Sequence, residues 1–171
     1  MVHLYYGGGK GKTTAALGLA VRAAGNGWRV VVVQFLKGRR TGELAALETL
    51  GAVVLRGKAG GRFVAQMTAA ERAETRVICD ANFARARDLC DADAAPVLLV
   101  LDEICAAYGN ALVDTGAVDA FLAAVPERVE VVLTGREPPE GFFARADYVT
   151  EMRCVRHPFD AGVAARSGVE F

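Results

Sequence analysis

Short runs of β-branched and other apolar residues alternate along the chain with longer stretches in which apolar positions recur at helical spacing. This is the pattern of a parallel sheet covered by helices. The runs predict strands at Leu4–Tyr6, Val30–Gln34, Val53–Arg56, Val97–Leu101, Val129–Thr134 and Tyr148–Met152. Their near-continuous hydrophobicity predicts burial on both faces. Between them, the small residues of Lys12–Ala24 predict a helix ending at Gly25 and Gly27, and Gly42–Leu50 predicts a shorter one ending at Gly51. Thr68 with Glu71 makes a capping box for the longest helix, in which Ala73, Val77, Ala81 and Ala84 recur on one face. Asp114 or Thr115 caps a fourth helix whose apolar face is Val118, Phe121, Leu122 and Val125, closed by Pro126. No internal repeat or linker interrupts the pattern, so residues 1–171 are read as one α/β domain. Its core is an open parallel sheet of about six strands with helices on both faces.

In such a sheet ligands bind beyond the carboxyl ends of the strands, where the loops converge. The residues following each strand then share one edge: Gly7–Thr14; Gln34, Lys37, Arg39 and Arg40; Lys58, Gly60, Gly61, Arg62 and Phe63; Asp102 and Glu103; Thr134, Gly135 and Arg136; Glu151 and Arg153. That edge is rich in glycine and positive charge, yet the whole chain balances 20 Lys and Arg against 20 Asp and Glu. Zero net charge argues against a sequence-independent nucleic-acid binder. The apolar runs are far shorter than the ~20 residues of a membrane span. No secretory signal pattern opens the sequence, so a cytoplasmic location is expected. Cys79, Cys90, Cys105 and Cys154 lack close ligand spacing and read as small buried residues or free surface thiols.

Gly7-Gly8-Gly9-Lys10-Gly11-Lys12-Thr13-Thr14 lies between a predicted strand and a predicted helix, the context of a phosphate-binding loop. Glycines allow backbone N–H groups to turn toward an anion, the helix start adds its positive end, and Lys12 adds a mobile charge. Thr13 offers a hydroxyl to magnesium. The usual first glycine of that motif is replaced by Tyr6. Asp102-Glu103, at the end of a buried strand, supplies candidate magnesium ligands, although an acidic residue there can equally cap the next helix. Arg136 can bridge phosphate oxygens in a bidentate way or serve as a solvated loop charge. The segment Arg56–Arg62 with Phe63 reads either as a surface connection or as a cover for a second substrate. His157, before Pro158-Phe159, reads as a packed or hydrogen-bonded residue rather than a base. No nucleophile–base set is visible, which suits a reaction that needs only positioning and charge neutralisation.

The chain resembles the P-loop class of corrinoid adenosyltransferase over nearly its whole length. The segments that carry the resemblance are Tyr5–Ala16, Arg22–Gly25, Val33–Gly38, Leu101–Glu103, Leu133–Arg136, Ala146–Met152 and Arg156–Gly162. Members of that class also lack the first loop glycine. The resemblance implies a P-loop NTPase-like fold. It also implies transfer of the 5′-deoxyadenosyl group of ATP to the Co(I) of cob(I)alamin or a cobyrinic acid derivative, with triphosphate leaving. Lys12, Thr13 and Glu103 would serve the reaction. Gly7, Gly8, Gly9, Lys10, Gly11, Lys12, Thr13, Thr14, Arg22 and Arg136 would contact ATP. Thr13, Asp102 and Glu103 would hold Mg2+, and Phe63 would face the corrinoid. A flavoprotein reductant and a homodimer are further expectations. Two departures fall on the corrinoid side: Gly61-Arg62-Phe63-Val64 keeps one aromatic of a Gly-Phe-Thr-Trp-like segment, and the N-terminal extension that some members lay over the corrinoid has no counterpart before the first strand. The alternatives are an ATPase or kinase using Glu103, and a non-catalytic nucleotide or corrinoid sensor.

Overall fold

A computed structural model describes residues 1–38 and 41–169; Arg39, Arg40, Glu170 and Phe171, which the sequence places at the ligand edge and in the tail, lie outside the described residues. Among the described residues six strands, β1 (Val2–Tyr6), β2 (Arg29–Phe35), β3 (Val53–Gly57), β4 (Val97–Asp102), β5 (Val129–Gly135) and β6 (Tyr148–Glu151), form one sheet in the order β3-β2-β4-β5-β1-β6. Every pairing is parallel. Among the described residues six α-helices connect them: α1 (Lys12–Gly25), α2 (Glu43–Thr49), α3 (Ala69–Asp91), α4 (Ile104–Gly109), α5 (Thr115–Ala123) and α6 (Glu140–Arg145).

Right-handed crossovers dictate which face each helix covers. The chain moves from β1 across to β2 and on to β3, which puts α1 and α2 on one face. It then returns through β4, β5 and β6, which puts α3 to α6 on the other. Strand residues accordingly alternate between two cores. Val31, Val33, Leu99, Leu101 and Val131 pack with Cys79, Phe83, Ile104, Val118 and Phe142, whereas Val30, Val32, Leu98, Val100 and Val132 pack with Ala16, Ala20 and Leu47. Alanines at the α1 contact let that helix lie close over the strands. No helix among the described residues is long and apolar enough to cross a membrane.

The predicted strands match within two residues at each end, and the Thr68–Glu71 capping box is present. Asp114 is the cap of α5, its side chain accepting the Ala117 N–H at 3.0 Å. Three expectations are corrected. The buried face of α3 is Thr75, Cys79, Phe83, Ala86 and Cys90, whereas Ala73, Val77 and Ala81 are exposed; alanines scattered round the helix blur its periodicity. Burial on both faces holds for β2, β4 and β5, but all four residues of β6 are exposed because it is an edge strand paired only with β1. The short helices α4 and α6, six residues each, escape the sequence pattern.

Candidate functional site

The loop leaving β1 is shaped by the segment that follows β6. Gly9 donates its N–H to the Met152 carbonyl at 2.6 Å, and the Met152 N–H returns to the Tyr6 carbonyl at 2.7 Å. A Cβ on Gly7 or Gly9 would stand 2.7 or 2.6 Å from that Met152 oxygen, while Gly8 faces open space. Two of the loop glycines therefore answer to close backbone packing, not only to an anion as the sequence suggested. Gly11, at φ +118°, then turns the chain into α1, whose first residue is Lys12.

Lys12 is buried, and its Nζ donates to the carbonyls of Gly7 at 2.8 Å and Gly9 at 2.7 Å. Burial holds its pKa below the ordinary lysine value, Glu103 and Asp102 opposing that shift and Arg136 adding to it. Across the cleft, Asp102 ends β4 with no exposed surface. Its Oδ1 accepts from the hydroxyls of Thr13 and Thr134, both at 2.8 Å, and its Oδ2 accepts from Lys37 Nζ at 2.6 Å. The Thr134 hydroxyl also accepts the Glu103 N–H at 2.8 Å. Glu103 sits in the left-handed region at φ +62°, an uncommon conformation for a non-glycine residue. Burial and the neighbouring Asp102 push its carboxyl pKa up, against the pull of Lys37, Lys12 and Arg136. Glu43, at the start of α2, is held by the Gln34 amide at 3.0 Å. Burial opposes its ionisation, but its backbone N–H, Gln34, Thr41 and the charge of Lys37 together set its pKa below the usual value.

A cleft of about 730 Å³ opens between these groups, lined on the loop side by Lys10, Gly11, Lys12, Thr13, Thr14 and Leu17. Lys37, Thr41, Gly42, Glu43, Glu103, His157, Gly168 and Val169 complete the wall. Of the expected site residues, Lys10–Thr14 and Glu103 thus meet at one cavity, with Asp102 directly bonded to Thr13 beneath it. Arg136 is exposed, but its charge acts on both Lys12 and Glu103 and its carbonyl accepts the Gly7 N–H at 3.3 Å. Arg22 is not brought there: it lies in the last turn of α1, about 15 Å from Lys12 at ~1.5 Å per residue. Phe63 stands 81% exposed on the loop between β3 and α3 and does not line the cleft. His157 does make the local hydrogen bond expected of it, Nδ1 accepting the Phe159 N–H at 3.2 Å, yet it also reaches the cleft. Lys37 and Thr134 appeared in the sequence as members of the polar edge and of segments that carry the resemblance, with no role of their own. Their roles depend on pairings that no local motif encodes. Among the described residues, no group of three or more His, Cys, Asp or Glu side chains could hold a metal unaided.

The whole chain, residues 1–171, matches the sequence model of a family described as ATP:corrinoid adenosyltransferase BtuR/CobO/CobP. It is 37% identical over 169 residues to a corrinoid adenosyltransferase of Pseudomonas aeruginosa, covering 98% of this chain and 82% of the relative. Over 172 residues it is 36% identical to the corrinoid adenosyltransferase CobA of Salmonella typhimurium, covering 100% of this chain and 85% of the relative. A corrinoid adenosyltransferase of Escherichia coli is 34% identical over 172 residues, with the same coverage of both chains.

Proposed function

The chain belongs to the ATP:corrinoid adenosyltransferase family BtuR/CobO/CobP, and on that premise we propose that its cleft is where the 5′-deoxyadenosyl group of ATP passes to the Co(I) of a reduced corrinoid. The electron pair of Co(I) forms the bond to C5′ as the C5′–O bond breaks, and the pair of that bond leaves with inorganic triphosphate. The substrate supplies the nucleophile. What remains for the protein is to align C5′ with cobalt and to stabilise charge on the departing triphosphate.

The convergence of Lys10, Lys12 and Lys37 with Glu103 on one cleft of about 730 Å³ carries this reading. The cleft falls within the ~300–1,000 Å³ range of small-molecule sites. Lys12 leaves its two loop carbonyls to meet triphosphate oxygens, Lys10 adds a second cation, and the start of the 14-residue α1 points its N–H groups at the same anion. Cys105, close to Gly135, has its thiol pushed up to about 12 by burial and offers no competing thiolate.

Magnesium suits the donor set. It takes oxygen ligands, retains several waters, and is typically held by one or two carboxylates together with substrate phosphates. The Thr13 hydroxyl and the Asp102 carboxylate, 2.8 Å apart, with Glu103 at the cleft wall, offer that partial shell. When bound there, the ion neutralises negative charge on the triphosphate. Phe63, exposed beyond β3 at the same sheet edge, is the proposed corrinoid contact. The proposal extends to a homodimer, a flavoprotein as external reductant and a cytoplasmic location.

Anaerobic incubation with ATP, magnesium and chemically reduced cobalamin tests the reading. Growth of the adenosylcobalamin spectrum with stoichiometric triphosphate is expected. ADP and phosphate released without corrinoid would instead establish an ATPase, and tight binding of both substrates without turnover would establish a sensor.

A further inference from the structure

Asp102 is the most heavily engaged carboxylate in the cleft. It has no exposed surface, and three donors already satisfy it: two hydroxyls on Oδ1 and one ammonium on Oδ2. A divalent cation recruited by Thr13 and Asp102 cannot simply be added to that arrangement. Magnesium lies ~2.0–2.1 Å from a ligand oxygen, and an ammonium 2.6 Å from Oδ2 of the same small carboxylate would be forced into close repulsion with it. Of the three donors, only the ammonium carries a charge that opposes the incoming ion.

Thr134 is fully buried and tied by its hydroxyl to the Glu103 backbone, so it is fixed. Thr13 is itself a ligand in the proposed site. Lys37 is the remaining donor and the mobile one: its side chain is 25% exposed, lines the cleft, and hangs on a flexible four-carbon stem. Its backbone is aimed at the site by Leu36, whose φ of +61° turns the chain sharply as it leaves β2. Its charge acts on Glu43 and Glu103 as well as on Asp102. Lys37 is thus the cation of the carboxylate wall, as Lys10 and Lys12 are of the loop wall.

We propose that Lys37 is an exchangeable counter-ion, paired with Asp102 while the cleft is empty and transferred to a triphosphate oxygen when the metal–nucleotide enters. The inference rests on the nucleotide site proposed above. It makes metal uptake conditional on ATP: without a phosphate to receive it, the ammonium keeps its place on Asp102 and the divalent cation is excluded. With triphosphate present, the metal takes the carboxylate and the ammonium takes the phosphate, so neither anion is left uncompensated.

Mn2+ retained with the protein after ultrafiltration, corrected by a blank holding ATP and Mn2+ without protein, tests this without turnover. Wild-type protein should bind Mn2+ at least tenfold more tightly with ATP than without. Lys37→Met, which keeps the stem and removes the charge, should bind Mn2+ without nucleotide at least tenfold more tightly than wild type, and should bind metal-free tripolyphosphate more weakly. Lys37→Arg keeps a charge on Asp102 and should exclude Mn2+ from the empty cleft as wild type does, which keeps the test open should the methionine variant unfold. Equal Mn2+ affinity of nucleotide-free wild type and Lys37→Met, or free Mn2+ uptake by Lys37→Arg, would overturn the exchange alone. Failure of wild type to take up Mn2+ even with ATP would overturn the nucleotide site and the exchange together.

Discussion

Replacing Thr134 with valine keeps the shape of the side chain and removes its hydroxyl, and the structure gives that hydroxyl two simultaneous duties. It donates to Asp102 Oδ1 at 2.8 Å and accepts the Glu103 N–H at 2.8 Å. Neither loss can be made good by solvent, because Thr134 and Asp102 have no exposed surface. A hydrogen bond to a charged group contributes ~1.5–3 kcal/mol, and a buried donor left without a partner costs ~1–3 kcal/mol. The two share one hydroxyl and are not additive, so a loss of about 2–5 kcal/mol is expected. That is a large part of the ~5–15 kcal/mol available to a domain. At ~2–4 °C per kcal/mol for a chain of this size, a loss of 3 kcal/mol lowers the melting temperature by about 6–12 °C. Urea unfolding with an unchanged m-value is the assay, with Thr134→Ser as the control that restores the hydroxyl. A valine variant within ~0.5 kcal/mol of wild type would refute the claim that Thr134 holds the acidic pair.

Lys12→Ala should fold normally and lose ~10²–10³ in adenosyl-transfer rate, since a preorganised cation facing developing charge is worth that much; near-normal turnover by a folded variant would dismiss the loop as the triphosphate site. Glu103 has a raised pKa, so its folded state holds a proton to higher pH than the unfolded chain does, and its ionisation costs stability once pH rises above the unfolded value. Glu103→Gln should therefore melt higher than wild type at neutral pH, the gap closing as pH falls through that window; a pH-independent gap would contradict the assignment. Gly9→Ala must push a backbone carbonyl from 2.6 Å and should cost about 1–3 kcal/mol and weaken ATP binding, whereas Gly8→Ala, facing open space, should melt within a degree or two of wild type. In α3, Phe83→Ala should cost ~3–5 kcal/mol while Val77→Ala, 68% exposed in the parent, stays within ~0.5 kcal/mol; the reverse order would restore the helix face read from the sequence.

The central strands were legible because β2, β4 and β5 are buried on nearly their whole length, with apolar runs at Val30–Val33, Val97–Leu101 and Val131–Leu133. The loop was legible because its residues are consecutive. What stayed hidden depends on contacts between distant positions. The buried face of α3 uses Thr75 and two cysteines, which an apolar-periodicity argument undercounts, and alanines at Ala70, Ala73, Ala81 and Ala84 fit any face. The six residues of α4 or α6 make less than two turns, too few for a period to show. Thr134 and Lys37 are single polar residues at strand ends, and their partner Asp102 lies 32 and 65 positions away. Even the glycines of the loop were assigned one duty, because their neighbour Met152 lies just past the end of β6, which the β1–β6 pairing brings beside them.

The strand order also sets a timetable. β1 lies between β5 and β6, so its apolar residues have no sheet partner until Val129 has been synthesised, 123 residues after β1 ends at Tyr6. At ~5–20 residues per second that wait is roughly 6–25 s, during which β2, β3 and β4 can already assemble with α3. The glycine loop waits longer still, since the Met152 carbonyl that receives its Gly9 N–H belongs to the segment after the last strand. A nascent chain stalled before residue 129 should therefore expose β1 to chaperones, and one stalled between β5 and β6 should be folded in its sheet yet blind to nucleotide. The residues that come first in the sequence are among the last to become useful.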